Sequence, residues 1–125
     1  MSNNTPNTGE FCWNELKTTD PNKAKAFYSE LFGWQVNEMN MGEMTYTMFL
    51  QNDKELCGMV EMPKDASMPP HWMSYIMVDD INTMAEKAEQ LGAKIISPIQ
   101  QVGEMGKLVL LEDPTGASIS LWEKL

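Results

Sequence analysis

The sequence repeats itself once, and this internal repeat limits the folds open to the chain more than any other feature does. A shift of 59 residues superimposes a strand-leading tryptophan, a helix-opening aspartate and a helix-closing glycine: Trp13 on Trp72, Asp20 on Asp79 and Gly33 on Gly92. Aspartate is a favoured N-cap residue and glycine a favoured residue after a helix end, so these pairs mark equivalent helix boundaries. The shift therefore indicates a duplicated module.

Both halves of the sequence predict the same order of elements. Each begins with a mixed apolar and polar strand, continues with a helix opened by aspartate, and ends with three strands separated by turn residues. The first half predicts strands at 11–18, 34–40, 44–51 and 56–62 around a helix that begins at Pro21 and is closed by Gly33. The second half predicts strands at 72–78, 94–97, 107–112 and 117–122 around a helix at 80–91.

This repeated order of elements predicts one α+β domain built from two modules. Residues 1–9 are polar and are expected to be a disordered lead, and the proline-rich segment 63–70 is expected to be a linker. The modules are then residues 10–62 and 71–125. One helix and four strands cannot bury both faces of a sheet alone. We therefore expect two tandem βαβββ modules that share a curved, mixed sheet with the helices outside.

Composition excludes several classes of function. The chain of 125 residues has 9 Lys and Arg against 18 Asp and Glu, which gives a formal charge of −9. This charge disfavours nucleic acid and anionic membrane surfaces as partners. No apolar run approaches the roughly 20 residues of a membrane span. The N-terminus lacks the apolar region of a signal peptide. Two cysteines are too few for a disulfide scaffold, so a reducing, cytoplasmic location is predicted.

Two stretches of the sequence resemble one known superfamily. They are W-N-E-L-K-T-T-D-P-N-K-A-K-A-F-Y-S-E-L-F-G-W at 13–34 and E-D-P-T-G-A-S-I-S-L-W at 112–122. Both resemble the glyoxalase/bleomycin resistance/extradiol dioxygenase group, also called vicinal oxygen chelate. The resemblance implies a cup-shaped sheet, a homodimer and, in many members, a divalent metal ion. That ion takes one ligand, His, Gln or Glu, from the first and one from the last strand of each module.

Carried onto this sequence, the four ligand positions of the family fall on Trp13, Glu61, Met73 and Ser120. Tryptophan cannot ligate because its indole N–H only donates. A hard divalent ion prefers oxygen and nitrogen donors, which this set mostly lacks. We therefore predict that the family metal is absent. If a metal does bind, Glu61 and His71 are the expected ligands.

Three residues are candidates for acid or base catalysis. Glu15 and Glu61 are expected on strands that point into the cup, where a buried carboxylate can exchange protons. His71, the single histidine, can act as a general base near neutral pH. Simpler interpretations stay open: Glu15 can form a structural ion pair with Lys17, and His71 can be a surface imidazole at the start of a strand.

A second group of residues is expected to line the cup and contact a ligand. Alternation along the last strand places Ile119 and Leu121 against the helix, which leaves the intervening residues for the cup. Aromatic and thioether groups would form a polarisable wall for a planar ligand, although each one alone is more typical of a core. The predicted ligand-binding residues are Trp13, Trp72, Met73, Tyr75, Ser118, Ser120 and Trp122.

Together these observations predict a metal-free small-molecule binding protein of the glyoxalase/bleomycin-resistance type. The alternative is an enzyme of the same superfamily, a lyase, isomerase or dioxygenase relative. Such an enzyme would use a rearranged metal site or a Glu or His general base. An interaction module with a basic protein partner is a third class, but no segment marks it. The sequence leaves open whether any reaction is catalysed and which molecule is bound.

Overall fold

The computed structural model describes residues 6–42 and 44–125, which form an α+β fold with two helices and eight strands. The predicted βαβββ order occurs twice and is confirmed. Residues 1–5 of the predicted disordered lead lie outside the described residues. In chain order the elements are β1 Phe11–Thr18, α1 Pro21–Phe32, β2 Gln35–Met41, β3 Met44–Gln51, β4 Lys54–Glu61, β5 His71–Met77, α2 Ile81–Gln90, β6 Lys94–Val102, β7 Gly106–Glu112 and β8 Ser118–Lys124.

The chain divides into two compact units. The first unit is Trp13–Met73, and the second is Ser74–Leu125 together with the described residues up to Cys12. Strands lie in the order β2-β3-β4-β1 in the first unit, and in the order β5-β8-β7-β6 in the second. The first strand of each module pairs in parallel with the last, β1 with β4 and β5 with β8, while the other pairs within each unit are antiparallel.

The core of the first unit lies between α1 and one face of its strands. Its buried residues are Leu16, Phe49, Cys57 and Met59, and Tyr28 of α1 packs against them. Asp20 caps α1, because its Oδ1 accepts a hydrogen bond from the backbone N–H of Lys23 at 3.1 Å. Gly33 ends the helix with φ of 74°, a left-handed conformation that glycine adopts without strain.

The core of the second unit packs under α2 and includes Ile81, Val109 and Leu121. Its helix begins one residue later than predicted. Asp80, not Asp79, accepts the backbone N–H groups of Asn82 and Thr83. The shift of 59 is therefore wrong at the start of the helix, although it holds at the two closing glycines.

Strand β6 continues to Val102, where the sequence predicted an end at Ser97. Pro98 interrupts the pairing with β7, and the register shifts on both sides of Ser97. The strand continues past Pro98 because β6 is an edge strand, where the missing N–H of a proline is tolerated. Within the described residues, neither helix is long and apolar enough to cross a membrane.

Burial makes the Cys57 thiol a poor nucleophile and a pH-sensitive group. Desolvation raises the pKa of Cys57 to about 11, from an ordinary value of 9.0. In the unfolded chain the thiol ionises near 9, whereas in the folded protein it stays neutral. Its contribution to stability is therefore full below pH 9 and is lost as the pH rises toward 11.

We expect Cys57 in the native protein to resist iodoacetamide at pH 8, because only the thiolate reacts and the folded state disfavours it. Mass spectrometry of tryptic peptides measures the modified fraction against time. The protein unfolded in guanidinium, where both cysteines react, is the control. Labelling of native Cys57 at the unfolded rate would contradict the expectation.

Candidate functional site

The candidate site lies on the face of the first unit opposite α1, which we call the helix-free face. The register between β1 and β4 defines it. Leu16 pairs with Met59, and both pack under α1. Because side chains alternate along a strand, the neighbouring pair of Glu15 and Gly58 points the other way.

A chain of hydrogen bonds crosses the helix-free face. The indole Nε1–H of Trp13 donates to the Tyr46 hydroxyl at 2.8 Å. The Tyr46 hydroxyl in turn makes a hydrogen bond with the Glu15 carboxylate. The Lys17 ammonium lies 3.1 Å from Glu15 Oε1 and completes the chain with an ion pair. Three positions of β1 and one of β3 thus join an indole, a carboxylate, an ammonium and a phenol in one cluster, which we call the Trp13–Lys17 cluster.

Glycine at position 58 makes room for this cluster. A Cβ atom added at Gly58 would overlap the hydroxyl and ring of Tyr46, so the phenol lies directly on the backbone of β4. Tyr46 belongs to the aromatic groups that the sequence suggested for the cup wall, but it is absent from the predicted ligand-binding residues. The alternation along β3 indicated which face of the strand carries Tyr46. Only the pairing of β3 with β4 shows that the Tyr46 ring lies over a glycine.

The electrostatics of the cluster favour a neutral phenol at Tyr46. Burial, followed by the nearby Glu15 charge, raises the pKa of Tyr46 well above its ordinary value. Glu15 is only 8% exposed, and the Lys17 ammonium compensates its charge. The predicted Glu15–Lys17 ion pair is therefore present. The arrangement can accept a hydrogen bond at the carboxylate and offer an aromatic edge or face to a ligand.

The second unit has a corresponding face opposite α2. Ile119 and Leu121 pack under α2, as the alternation predicted. Ser120 is 1% exposed and pairs with Tyr75 of β5. Trp122 lies over Gly106, where an added Cβ would overlap the indole ring. Ser118 is the first residue of β8 and pairs with Glu112. The predicted contacts of these residues with a ligand stay a prediction.

Glu61 does not lie on the face that carries Glu15. It pairs with Thr18 on the α1 side, and it lines a cavity of about 810 Å³ beside Asp20 and Pro21 at the start of the helix. The expectation that Glu15 and Glu61 both point into one cup is therefore wrong. Glu61 lies three positions after Gly58, an odd step, so strand alternation places them on opposite faces.

His71 and Trp72 leave the start of β5 in different directions. The Nδ1 atom of His71 lies 2.7 Å from the carbonyl oxygen of Pro69, so Nδ1 carries the proton that this carbonyl accepts. Its Nε2 atom is buried and has no hydrogen-bond partner among residues 6–42 and 44–125. The Trp72 indole donates to the Tyr28 hydroxyl at 3.1 Å and packs edge-on against that ring. Trp72 thus contacts α1, and Trp13 contacts the helix-free face.

The strand register also moves one of the four metal positions. Glu15 lies five residues before the N-cap Asp20 and pairs with Gly58, while Tyr75 lies five before Asp80 and pairs with Ser120. Gly58, not Glu61, is therefore the counterpart of Ser120. The extra residues that break the shift of 59 lie between the helix and the last strand of the second module.

The residues at the four positions do not fit the family metal. They are now Trp13, Gly58, Met73 and Ser120: an N–H donor, no side chain, a soft thioether and a weakly ligating hydroxyl. Among residues 6–42 and 44–125, no group of three or more His, Cys, Asp or Glu side chains could hold a metal ion. A metal would need a different donor set from the one that the resemblance implied.

The chain belongs to the Glyoxalase/Bleomycin resistance protein/Dioxygenase superfamily, whose family model matches residues 13–121. The resemblance inferred from the two sequence stretches is therefore confirmed. The matched residues include parts of both units.

Among curated proteins, the chain is similar to CFP32 of Mycobacterium bovis, which is named as a glyoxylase. They share 37% identity over 115 residues, 89% of this chain and 44% of that protein. The anthracycline biosynthesis protein DnrV of Streptomyces peucetius is 25% identical over 130 residues, 93% of this chain and 47% of that protein. The chain therefore spans less than half the length of these relatives.

Solved structures share the fold at low identity. Methylmalonyl-CoA epimerase from Mycobacterium tuberculosis has a TM-score of 0.65 at 13% identity, covering 100% of this chain and 93% of that one. Protein BH1468 from Bacillus halodurans has a TM-score of 0.68 at 11% identity, covering 95% of this chain and 96% of that one. At these identities the likeness shows the fold alone.

Replacing Gly58 by alanine tests how tightly Tyr46 packs. The new methyl group would displace the phenol and break its hydrogen bonds, so we expect a loss of about 1–3 kcal/mol in the free energy of unfolding. Urea denaturation measures this loss. In a Tyr46→Ala background the same Gly58→Ala change should cost much less. An equal loss in both backgrounds would show that Tyr46 does not occupy this position.

Proposed function

We propose that the protein binds a small molecule on the helix-free face of its first unit, without the family metal. The observation that carries the proposal is the Trp13–Lys17 cluster. Trp13 stands at one of the family's ligand positions, and Tyr46, Glu15 and Lys17 lie beside it. A carboxylate that is 8% exposed is costly to bury, and a core does not require it. Its retention is understandable if the cluster orients a ligand.

The chemistry of the cluster favours a planar ligand that carries a hydrogen-bond donor. An indole offers a polarisable surface to a flat ring, and the Glu15 carboxylate can accept a hydrogen bond from a hydroxyl or amine. One relative is named for anthracycline biosynthesis, and anthracyclines are planar, hydroxylated polycycles. We propose this class of aromatic molecule as the ligand. Tyr75, Ser118, Ser120 and Trp122 are further proposed contacts.

Fluorescence titration with a hydroxylated anthracycline aglycone tests this proposal. We expect Trp13→Ala to weaken binding at least about tenfold, which corresponds to about 1.4 kcal/mol. Trp72→Ala is the matched control and should leave the affinity unchanged, because Trp72 packs against Tyr28. Equal losses in both variants, or no binding by the unmodified protein, would contradict the proposed site.

Metal content tests the other half of the proposal. We expect protein purified without chelator to contain far less than one Fe, Ni, Zn or Mn per chain by elemental analysis. Stoichiometric metal in the unmodified protein would overturn the proposal of a metal-free site. Its loss in a Glu61→Gln and His71→Asn double variant would identify these two residues as the metal ligands.

The second candidate function is catalysis with Glu15 as a general base, and His71 as a further candidate. The burial of Glu15 beside a phenol supports it, and several fold neighbours are epimerases, which move protons at carbon. Against it, the Glu15 carboxylate is already engaged in an ion pair with the Lys17 ammonium, 3.1 Å away.

Turnover assays with hemithioacetals, catechols, epoxides and carbon acids test this second function. If a reaction is found, Glu15→Gln should reduce kcat at least about a hundredfold, the usual contribution of a general base. Glu61→Gln, on the opposite face, is the matched control and should retain the rate. A rate that depends on Glu61 and not on Glu15 would exclude the helix-free face as the catalytic site.

We further propose that the protein is cytoplasmic and forms a homodimer. Its two thiols are free, which suits a reducing compartment.

A further inference from the structure

The cavity of about 810 Å³ in the first unit lies on the α1 side of its strands, opposite the Trp13–Lys17 cluster. The strand register places it there. Thr47, which lines the cavity, pairs with Met59 under α1, whereas the preceding residue, Tyr46, lies on the helix-free face. The cavity is therefore separate from the site proposed above, and its volume is typical of small-molecule pockets.

Among the described residues, three carboxylate side chains line this cavity: Asp20, Glu38 and Glu61. Asp20 is engaged as the cap of α1, and Glu38 forms an ion pair with Lys25. The carboxylate of Glu61 makes no ion pair or hydrogen bond within residues 6–42 and 44–125. Glu61 is also exposed, so a molecule in the cavity can reach it. Of the three acids, Glu61 is therefore the one that is open to a ligand.

The second module shows which group a carboxylate at this position binds. Glu123 on β8 matches Glu61 on β4 when the parallel strand pairs of the two units are aligned. Glu123 accepts the backbone N–H of Ile81, the first residue of α2, at 2.8 Å. In the first unit the corresponding helix residue is Pro21, which has no N–H. Glu61 therefore lines the cavity without the N–H donor that its counterpart has.

We propose that this cavity is a second ligand site, which takes a small molecule with a cationic amine on an apolar body. An ammonium group supplies the N–H donors that Pro21 lacks, and its charge complements the carboxylate of Glu61. Three methionines among the lining residues suit the apolar body, because thioether side chains adapt to irregular shapes: Met44, Met59 and Met62. This inference goes beyond the ligand proposed for the helix-free face and does not depend on it.

Charge favours an amine over an anion in this cavity. The three lining carboxylates face a single lining ammonium, that of Lys64, among the described residues. The whole chain also carries a formal charge of −9, which attracts cations. The start of a helix ordinarily attracts anions, but here the side chain of Asp20 already occupies the cap. An anionic ligand would thus meet repulsion and find its usual binding groups engaged.

Titration with phenethylamine, followed by amide chemical shifts in NMR, tests this proposal. We expect saturable shifts at the residues that line the cavity. Phenethyl alcohol, which has a similar shape without the charge, should bind at least about threefold more weakly, as should phenethylamine to Glu61→Gln, because exposed ion pairs contribute modestly. Glu55→Gln is the matched control and should bind phenethylamine like the unmodified protein. It removes the same charge from the same strand, at a residue that does not line the cavity.

A backbone variant separates this proposal from a general effect of charge. Pro21→Ala restores an N–H at the first residue of α1 and leaves every charge in place. We expect this N–H to donate to Glu61, as that of Ile81 donates to Glu123, and thereby to weaken phenethylamine binding at least about threefold. Thermal unfolding checks that the variant stays folded.

The absence of shifts at the cavity residues, or equal binding of the amine and the alcohol, would overturn the proposal. An affinity for phenethylamine that neither Glu61→Gln nor Pro21→Ala changes would also overturn it. Trp13→Ala should bind phenethylamine like the unmodified protein, because Trp13 does not line the cavity. Failure of this site and failure of the helix-free face are therefore distinguishable.

Discussion

The parallel pairing between the first and last strands of each module is the constraint on which the rest of the structure depends. It sets Leu16 opposite Met59 under α1 and Glu15 opposite Gly58 on the other face. Because side chains alternate along a strand, a slip of one residue would exchange the two faces completely. The burial of Leu16 and Met59 opposes such a slip, and their burial thereby places Glu15 and Trp13 together on the helix-free face.

The two modules use the same strand pairing but place different residues at matching positions. In the second unit Glu123 accepts the backbone N–H of Ile81 at 2.8 Å, at the first residue of α2. Glu61 occupies the matching place on β4, three residues after Gly58 as Glu123 is three after Ser120. In the first unit, helix α1 begins with Pro21, which has no N–H to donate to Glu61. The carboxylate that caps a helix in one unit is therefore left beside an open cavity in the other.

Membership of the superfamily is consistent with both binding and catalysis, because function depends on the site and not on the fold. The residues at the family's metal positions do not suit a hard cation. In the first unit they are replaced by an indole, and beside it a phenol, a carboxylate and an ammonium joined by hydrogen bonds. The phenol fits only because its neighbour on β4 is glycine, which links the chemistry of this face directly to the packing of the strands.

The sequence by itself determined the features that depend on short stretches of chain. The order of elements, the cap at Asp20, the helix end at Gly33 and the alternation around Leu121 all follow from local preferences and periodicity. Tertiary structure decided which distant side chains share a face. A uniform shift of 59 assumed modules of equal spacing, but the register makes Gly58, three residues before Glu61, the counterpart of Ser120. Because three is odd, this difference reverses the side chain on the strand, which is why Glu61 could not be placed from the sequence.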